Sequence, residues 1–146
     1  MIIVLVIGTS ISAGNNLVNF ILRKYPPVVG MEHSEDYRAV VRLVEESTPV
    51  DSVIGTPGGG TLAYLIENRR IVNLDGLMNS PEYFNRLKAF ETNEFMVNNN
   101  IQYIYANELA VFSSPPYAAI FTNRLEPVSK VFGKTLFRYF SEPQEE

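Results

Sequence analysis

The clearest change of structural pattern in the chain lies in RIVNLDGLMNSPEY, residues 70–83. Its first part, Arg70–Leu74, is a short apolar run that predicts a β-strand, and Asp75-Gly76 predicts a turn directly after it. Ser80-Pro81-Glu82 then predicts a helix start, because it supplies an N-cap, a proline at the first helical position and an acid in the first turn. A strand followed closely by a helix is the repeating unit of α/β domains.

Strand and helix patterns alternate on both sides of this stretch. The other predicted strands are Val50–Ile54, Ile101–Tyr105, Val128–Phe132 and Thr135–Phe140, the last two forming a hairpin around Gly133-Lys134. The predicted helices follow the N-cap Ser34 up to Thr48-Pro49, cover Thr61–Glu67, run from Ser80 with a break near Thr92, and run from Pro115 to Phe121. We therefore predict an α/β domain over residues 31–140, with two or three layers, a mainly parallel sheet and a frayed tail at 141–146.

The beginning of the chain has a different composition, because residues 1–22 contain no charged side chain. One interpretation is the outer end of a transmembrane helix, which needs about 20 largely apolar residues. A second is a buried strand, a turn through Gly8–Gly14 and a helix, and a third is a signal peptide with Ser10-Ile11-Ser12 as its cleavage site. We predict that residues 1–24 form a hydrophobic segment, that an N-terminal hydrophobic helix precedes the α/β domain, and that residues 1–22 contact a membrane.

Composition excludes several classes of function. Twelve basic and sixteen acidic residues give a net charge of −4, without the clustered Lys and Arg that nucleic-acid binding requires. The absence of Cys excludes disulfides and thiolate metal sites, and a single histidine, His33, excludes a multi-histidine metal site. We expect no cofactor, no metal site and no catalytic residue in this chain.

Two loops contain residues that could bind a ligand. Gly58, Gly59 and Gly60 follow a predicted strand, so their amides could hold an anion, although the spacing also suits a plain turn. Asn73, Asp75 and Asn79 lie at the carboxyl end of the next predicted strand, the edge where open α/β sheets bind ligands. Asp75 could accept hydrogen bonds from sugar hydroxyls or hold a hard cation, or the same residues could form only a turn and a helix cap.

Residues 37–105 resemble the soluble C-terminal domain of polytopic membrane proteins related to the dolichyl-phosphate-mannose protein mannosyltransferases. The most specific part is VNLDGLMNS at residues 72–80, and the resemblance covers roughly half of the chain. Related sequences often carry Trp-Asp where this chain has Pro57-Gly58-Gly59, so an acidic role at that point is absent. The resemblance implies a parent protein that uses lipid-linked sugars and has its catalytic acid in the transmembrane part, which this chain does not contain.

The sequence therefore predicts an extracytoplasmic accessory domain of a membrane glycosyltransferase-like protein, not catalytic alone, with a lipid-linked sugar or its acceptor as partner of the parent protein. Arg23 and Lys24 favour the opposite, cytoplasmic side under the positive-inside rule. An alternative is a free-standing soluble α/β protein that binds a phosphorylated or nucleotide ligand at the Gly8–Gly14 and Gly55–Gly60 turns. A module that only binds other proteins is a third possibility.

Overall fold

The computed structural model describes residues 37–76 and 79–144. The predictions for the hydrophobic segment 1–24, the N-terminal helix, the Ser34 cap and His33 lie outside these residues. The helices are α1 (Tyr37–Ser47), α2 (Gly60–Leu65), α3 (Pro81–Lys88), α4 (Asn93–Asn98), α5 (Glu108–Ser113) and α6 (Tyr117–Phe121). The strands are β1 (Val53–Thr56), β2 (Arg70–Asn73), β3 (Tyr103–Asn107), β4 (Leu125–Val131) and β5 (Lys134–Tyr139). In the part of the chain that is described, no helix combines the length and the apolar character that a membrane crossing needs.

The five strands form one mixed sheet in the order β2-β1-β3-β5-β4. β1 pairs in parallel with β2 and β3, whereas β5 is antiparallel to both β3 and β4. The α/β class is confirmed, but the prediction of a mainly parallel sheet is wrong. The reason is the position of the predicted hairpin: β5 lies beside β3, so two of the four strand pairings are antiparallel. The left-handed turn residues Phe132 (φ 49°) and Gly133 (φ 74°) close the hairpin itself.

Helices cover both faces of the sheet, so the domain has three layers. Neighbouring residues of β1 show this, because Val53 packs in one apolar cluster and Ile54 in the other. The Ile54 side is covered by α1 and α2, and the Val53 side by α3, α4, α5 and α6. In such a sheet the carboxyl ends of β1, β2 and β3 meet at one edge, and their amino ends meet at the opposite edge.

The first described helix is fixed to the sheet by its apolar stripe and by its C-terminus. Val40 and Val44 are buried at helical spacing. At the C-terminus, Nη2 of Arg69 donates to the carbonyls of Glu45 at 2.9 Å and Thr48 at 2.8 Å. A guanidinium there satisfies carbonyls that the helix itself leaves without a donor.

The break predicted near Thr92 is confirmed. α3 begins as expected, because Oγ of Ser80 accepts a hydrogen bond from the amide of Tyr83 at 3.1 Å. It ends at Lys88, and the chain then passes through Phe90, whose φ of 60° is incompatible with a continuous right-handed helix.

One helix, α5, has no counterpart in the sequence prediction. It begins directly after β3, where Oδ1 of Asn107 accepts a hydrogen bond from the amide of Leu109 at 2.8 Å. Asn107 followed by Glu108 is an ordinary helix start, so a local signal for this helix was present. Residues 141–144 form neither helix nor strand, and the amide of Gln144 donates to the carbonyl of Asn123 at 2.7 Å.

Candidate functional site

The structure brings the two predicted groups of site residues to the same edge of the sheet. Gly58–Gly60 follow β1, whereas Asn73 ends β2 and Asp75 and Asn79 lie between β2 and α3. Thr56 at the end of β1 is paired with Asn73 at the end of β2. Both groups therefore occupy the carboxyl edge, where open α/β sheets bind ligands.

The glycine turn has structural reasons for two of its three glycines. Gly58 has a φ of +72°, which side chains other than glycine rarely adopt. A Cβ at Gly59 would lie 2.0 Å from Cγ2 of Thr56, so a larger residue would force this turn to move. A Cβ at Gly60 would meet nothing within 4 Å. Close packing against Thr56 thus explains Gly59 without any ligand.

The asparagines of the second group bind the backbone of their own loop. Oδ1 of Asn73 accepts from the amide of Asp75 at 2.7 Å, and Nδ2 of Asn79 donates to the carbonyl of Asn73 at 2.6 Å. Oδ1 of Asn79 accepts from the amide of Ser80 at 2.7 Å. These bonds turn the chain from β2 into α3, and we call residues 73–83 the corner.

Two tyrosine hydroxyls hold the corner in place by hydrogen bonds to its backbone. Both Tyr83 and Tyr117 donate to the carbonyl oxygen of Leu74, at 3.1 Å and 2.8 Å. Leu74 is fully buried, and among residues 37–76 and 79–144 these two hydroxyls are the donors to its carbonyl. Tyr117 lies on α6, 43 residues from Leu74, and no local sequence pattern could have paired them.

The electrostatics of the corner keep both phenols neutral. Burial raises the pKa of Tyr83 and of Tyr117, and the nearby carboxylate of Asp75 raises both pKa values further. A phenol with a raised pKa is a poor general base at neutral pH and a stable hydrogen-bond donor. Both phenols are therefore protonated at neutral pH and act as donors to the carbonyl of Leu74.

A second polar group lies at the carboxyl end of β3. Oε1 of Glu108 accepts from Nζ of Lys130 at 2.8 Å and from Oγ1 of Thr135 at 2.6 Å. The hydrogen bonds from Lys130 and Thr135 lower the pKa of the Glu108 carboxyl below its usual range. This group ties the start of α5 to the hairpin. Within residues 37–76 and 79–144, no cluster of three or more His, Cys, Asp or Glu side chains could hold a metal ion.

A concavity of the described residues lies at the opposite, amino edge of the sheet. It has a volume of about 560 Å³ and lies between the loop before β1, the turn before β3 and the end of β5. Asp51, Asn100, Gln102 and Arg138 are among its lining residues. We call this space the amino-edge cavity. No local sequence pattern indicates this cavity, because its walls come from three segments that are distant in the chain.

In comparisons with known proteins, no protein family, no curated protein and no solved structure matches this chain.

Proposed function

We propose that this chain is an accessory α/β domain of a membrane glycosyltransferase-like protein that uses lipid-linked sugars, and that it is not catalytic alone. In this proposal residues 1–22 hold the chain at the membrane, and the α/β domain faces the extracytoplasmic side. The observation that carries the proposal is the corner: its motif is the most specific part of the resemblance, and its polar groups are used within the fold.

The hydrogen bonds of the corner support a role without catalysis. The amide groups of Asn73 and Asn79 are bonded to the loop backbone, and the hydroxyls of Tyr83 and Tyr117 are bonded to Leu74. A catalytic group has to reach a substrate atom within hydrogen-bond distance. Side chains that fix a backbone reversal are not available for that role without unfolding it.

The first test of the proposal is membrane association of the full chain. We expect the wild-type chain to remain in the membrane fraction after a high-salt wash, because the charge-free segment 1–22 favours an apolar environment. Val6→Asp places a charge in that segment and should release the chain. Val128→Asp is the matched control, since Val128 is 40% exposed on β4, and it should leave association unchanged. A wild-type chain that is soluble and monomeric without detergent would contradict the proposal.

The side of the membrane can be tested by labelling a single cysteine. The chain contains no Cys, so Glu142→Cys introduces one thiol at an exposed position without background. We expect a membrane-impermeant maleimide to label this variant in intact cells, with the wild-type chain as the blank. Labelling only after the cells are broken would place the domain on the cytoplasmic side.

The absence of catalysis by the isolated chain is tested with a polyprenyl-phosphate sugar and a peptide acceptor, for which we expect no transfer.

Calorimetric titration with nucleotides separates this proposal from the phosphorylated-ligand alternative at Gly58–Gly60. A dissociation constant of about 1 μM or tighter, on the order of −8 kcal/mol, would favour the alternative. A Gly60→Ala variant then locates such binding, because a methyl group at Gly60 meets no protein atom.

A further inference from the structure

The amino-edge cavity brings together polar side chains that make few or no hydrogen bonds with the described residues. Asp51 precedes β1, Asn100 precedes β3, and Arg138 lies near the end of β5. Arg138 and Tyr103 are paired across β5 and β3, so the cavity wall continues directly from the sheet. A volume of about 560 Å³ lies within the ordinary range of small-molecule sites.

Gln102 is held firmly in the middle of this edge. Its amide donates to the carbonyl of Val53 at 2.9 Å, and its side-chain Oε1 accepts from the amide of Val53 at 3.3 Å. Its carbonyl also accepts from the amide of Tyr139 at 2.9 Å. The Nε2 donors of Gln102 have no partner among residues 37–76 and 79–144 and are fixed in place by these bonds.

The side chains of Asp51 and Asn100, which also line the cavity, have no partner in the described part of the chain. Neither the carboxylate of Asp51 nor the amide group of Asn100 makes a hydrogen bond or ion pair there. Arg138 makes one loose ion pair with Glu126 at 3.5 Å, which leaves most of its five donors available. The cavity thus offers both acceptors and donors, in planar groups, to whatever enters it.

The apolar lining residues are partly buried, as Ile101, Tyr103 and Tyr139 are, and partly exposed. Val50 and Val97 have 63% and 52% of their surface exposed, although both are aliphatic. With one carboxylate and one guanidinium, the charged lining has no net sign. Such a wall suits an uncharged ligand that has many hydroxyl groups and some C–H surface.

We propose that the amino-edge cavity binds a neutral saccharide of one or two rings. Carboxylate, amide and guanidinium groups can each contact two adjacent hydroxyls at once, since their donor or acceptor atoms are arranged in a plane. Val50 and Val97 would contact the C–H face of the ring. This inference goes beyond the proposed function and does not require the chain to be membrane-bound.

The backbone conformation at the cavity allows two lining side chains to be removed without strain. Asp51 and Asn100 have φ values of 65° and 54°, a region that glycine adopts more easily than any other residue. Asp51→Gly and Asn100→Gly therefore remove the side chains without straining the fold. Asn123→Gly is the matched control, because Asn123 has a φ of 53° and is not among the cavity-lining residues.

The experiment measures ligand binding to the full chain by saturation-transfer NMR and calorimetric titration, in a detergent without sugar head groups. The probes are glucose, mannose, N-acetylglucosamine and maltose, with alanine and glutamate as charged comparison ligands. We expect at least one saccharide to bind with a dissociation constant of about 1 mM or tighter. Asp51→Gly and Asn100→Gly should each weaken that binding by about tenfold, and Asn123→Gly by less than about twofold.

Several results would overturn the inference. These are the absence of binding by all four saccharides, binding of only the amino acids, and equal affinities of the wild-type chain and the two cavity variants. Thermal denaturation of each variant shows that it is folded, so a loss of affinity in a folded Asp51→Gly chain can be assigned to the cavity. Membrane association is measured separately, so its failure and the failure of saccharide binding are distinguishable.

Discussion

Aspartate and asparagine lie at both edges of the sheet, but their side chains differ in whether they are hydrogen-bonded to described residues. At the carboxyl edge, the amide groups of Asn73 and Asn79 are bonded to the backbone of the corner. At the amino edge, Asp51 and Asn100 make no side-chain hydrogen bond to any described residue. Aspartate and asparagine beside a strand end therefore do not identify a ligand site by themselves. Whether their atoms already have partners distinguishes a structural loop from a candidate site.

The largest expected effect comes from removing both tyrosine hydroxyls that donate to the carbonyl of Leu74. Tyr83→Phe and Tyr117→Phe should each lower the free energy of unfolding by about 1 kcal/mol, because the other tyrosine still donates to the carbonyl of Leu74. The double variant removes both donors that the described residues supply to this buried carbonyl, and it should lose about 3 kcal/mol, more than the sum of the single variants. Urea unfolding of the four chains measures this coupling. Strictly additive losses would show that the shared carbonyl is not what links the two tyrosines.

The next effect concerns the asparagine that closes the corner. Asn73→Ala removes the acceptor for the amide of Asp75 and should lower the free energy of unfolding by about 1–2 kcal/mol. Asn73→Ser keeps an acceptor oxygen near that amide and should lose less. Asn100→Gly, at the other edge, should change stability by less than about 0.5 kcal/mol. If Asn100→Gly destabilised the chain as much as Asn73→Ala, the contrast between the edges would be wrong.

High pH gives a third comparison, through the buried phenols. In the folded chain, burial raises the pKa of Tyr83, Tyr117 and Tyr139 above the unfolded value of about 10. Their contribution to stability is complete below pH about 10 and is lost as the pH rises toward the folded pKa values. Tyr83 alone should account for about 1 kcal/mol at pH about 11.

Urea unfolding between about pH 8 and pH 11 measures this loss. Tyr83→Phe should reduce it, because phenylalanine has no proton to lose. Asp75→Asn should lower the pKa of Tyr83 and Tyr117, since the carboxylate raises both. A tyrosinate absorbance that rises fully at pH about 10 in the folded chain would contradict the buried positions of these phenols.

The smallest expected effect is at the exposed ion pair of Glu108. Because the pKa of this carboxyl is lowered in the folded chain, its contribution to stability is present above the unfolded pKa of about 4.3 and is lost as the pH falls below it. Glu108→Gln should therefore reduce the urea midpoint slightly at pH about 7 and not at pH about 3. Glu126→Gln is the control, because its pair with Arg138 is longer, at 3.5 Å. An equal change at both pH values would show that the carboxylate charge is not involved.

Much of the fold was predictable because its signals are local. Ser80-Pro81 fixes the start of α3, the break near Thr92 separates α3 from α4, and the hairpin around Gly133 was expected within a few residues. The insertion of β5 beside β3 was not predictable, because strand order depends on packing between distant segments. The mainly parallel sheet was wrong for that reason.

The candidate sites show the same limit. The sequence predicted that Asn73, Asp75 and Asn79 lie at the carboxyl end of a strand, but it did not predict the contact of Tyr117 with Leu74, which joins α6 to the corner. It gave no sign of the amino-edge cavity, whose polar residues come from the segments around Asp51, Asn100 and Arg138. Whether a polar side chain is hydrogen-bonded within the fold depends on residues that are distant in the chain, and local patterns do not reveal these.

The most direct test of the contrast between the two edges is to map a bound saccharide by backbone amide NMR of the full chain. Our account predicts that amide shifts change with added saccharide at Asp51, Asn100 and Gln102, and stay constant at Gly58–Gly60 and in the corner, residues 73–83. Saturating shifts in the corner or the glycine turn, with none at Asp51, Asn100 and Gln102, would contradict it.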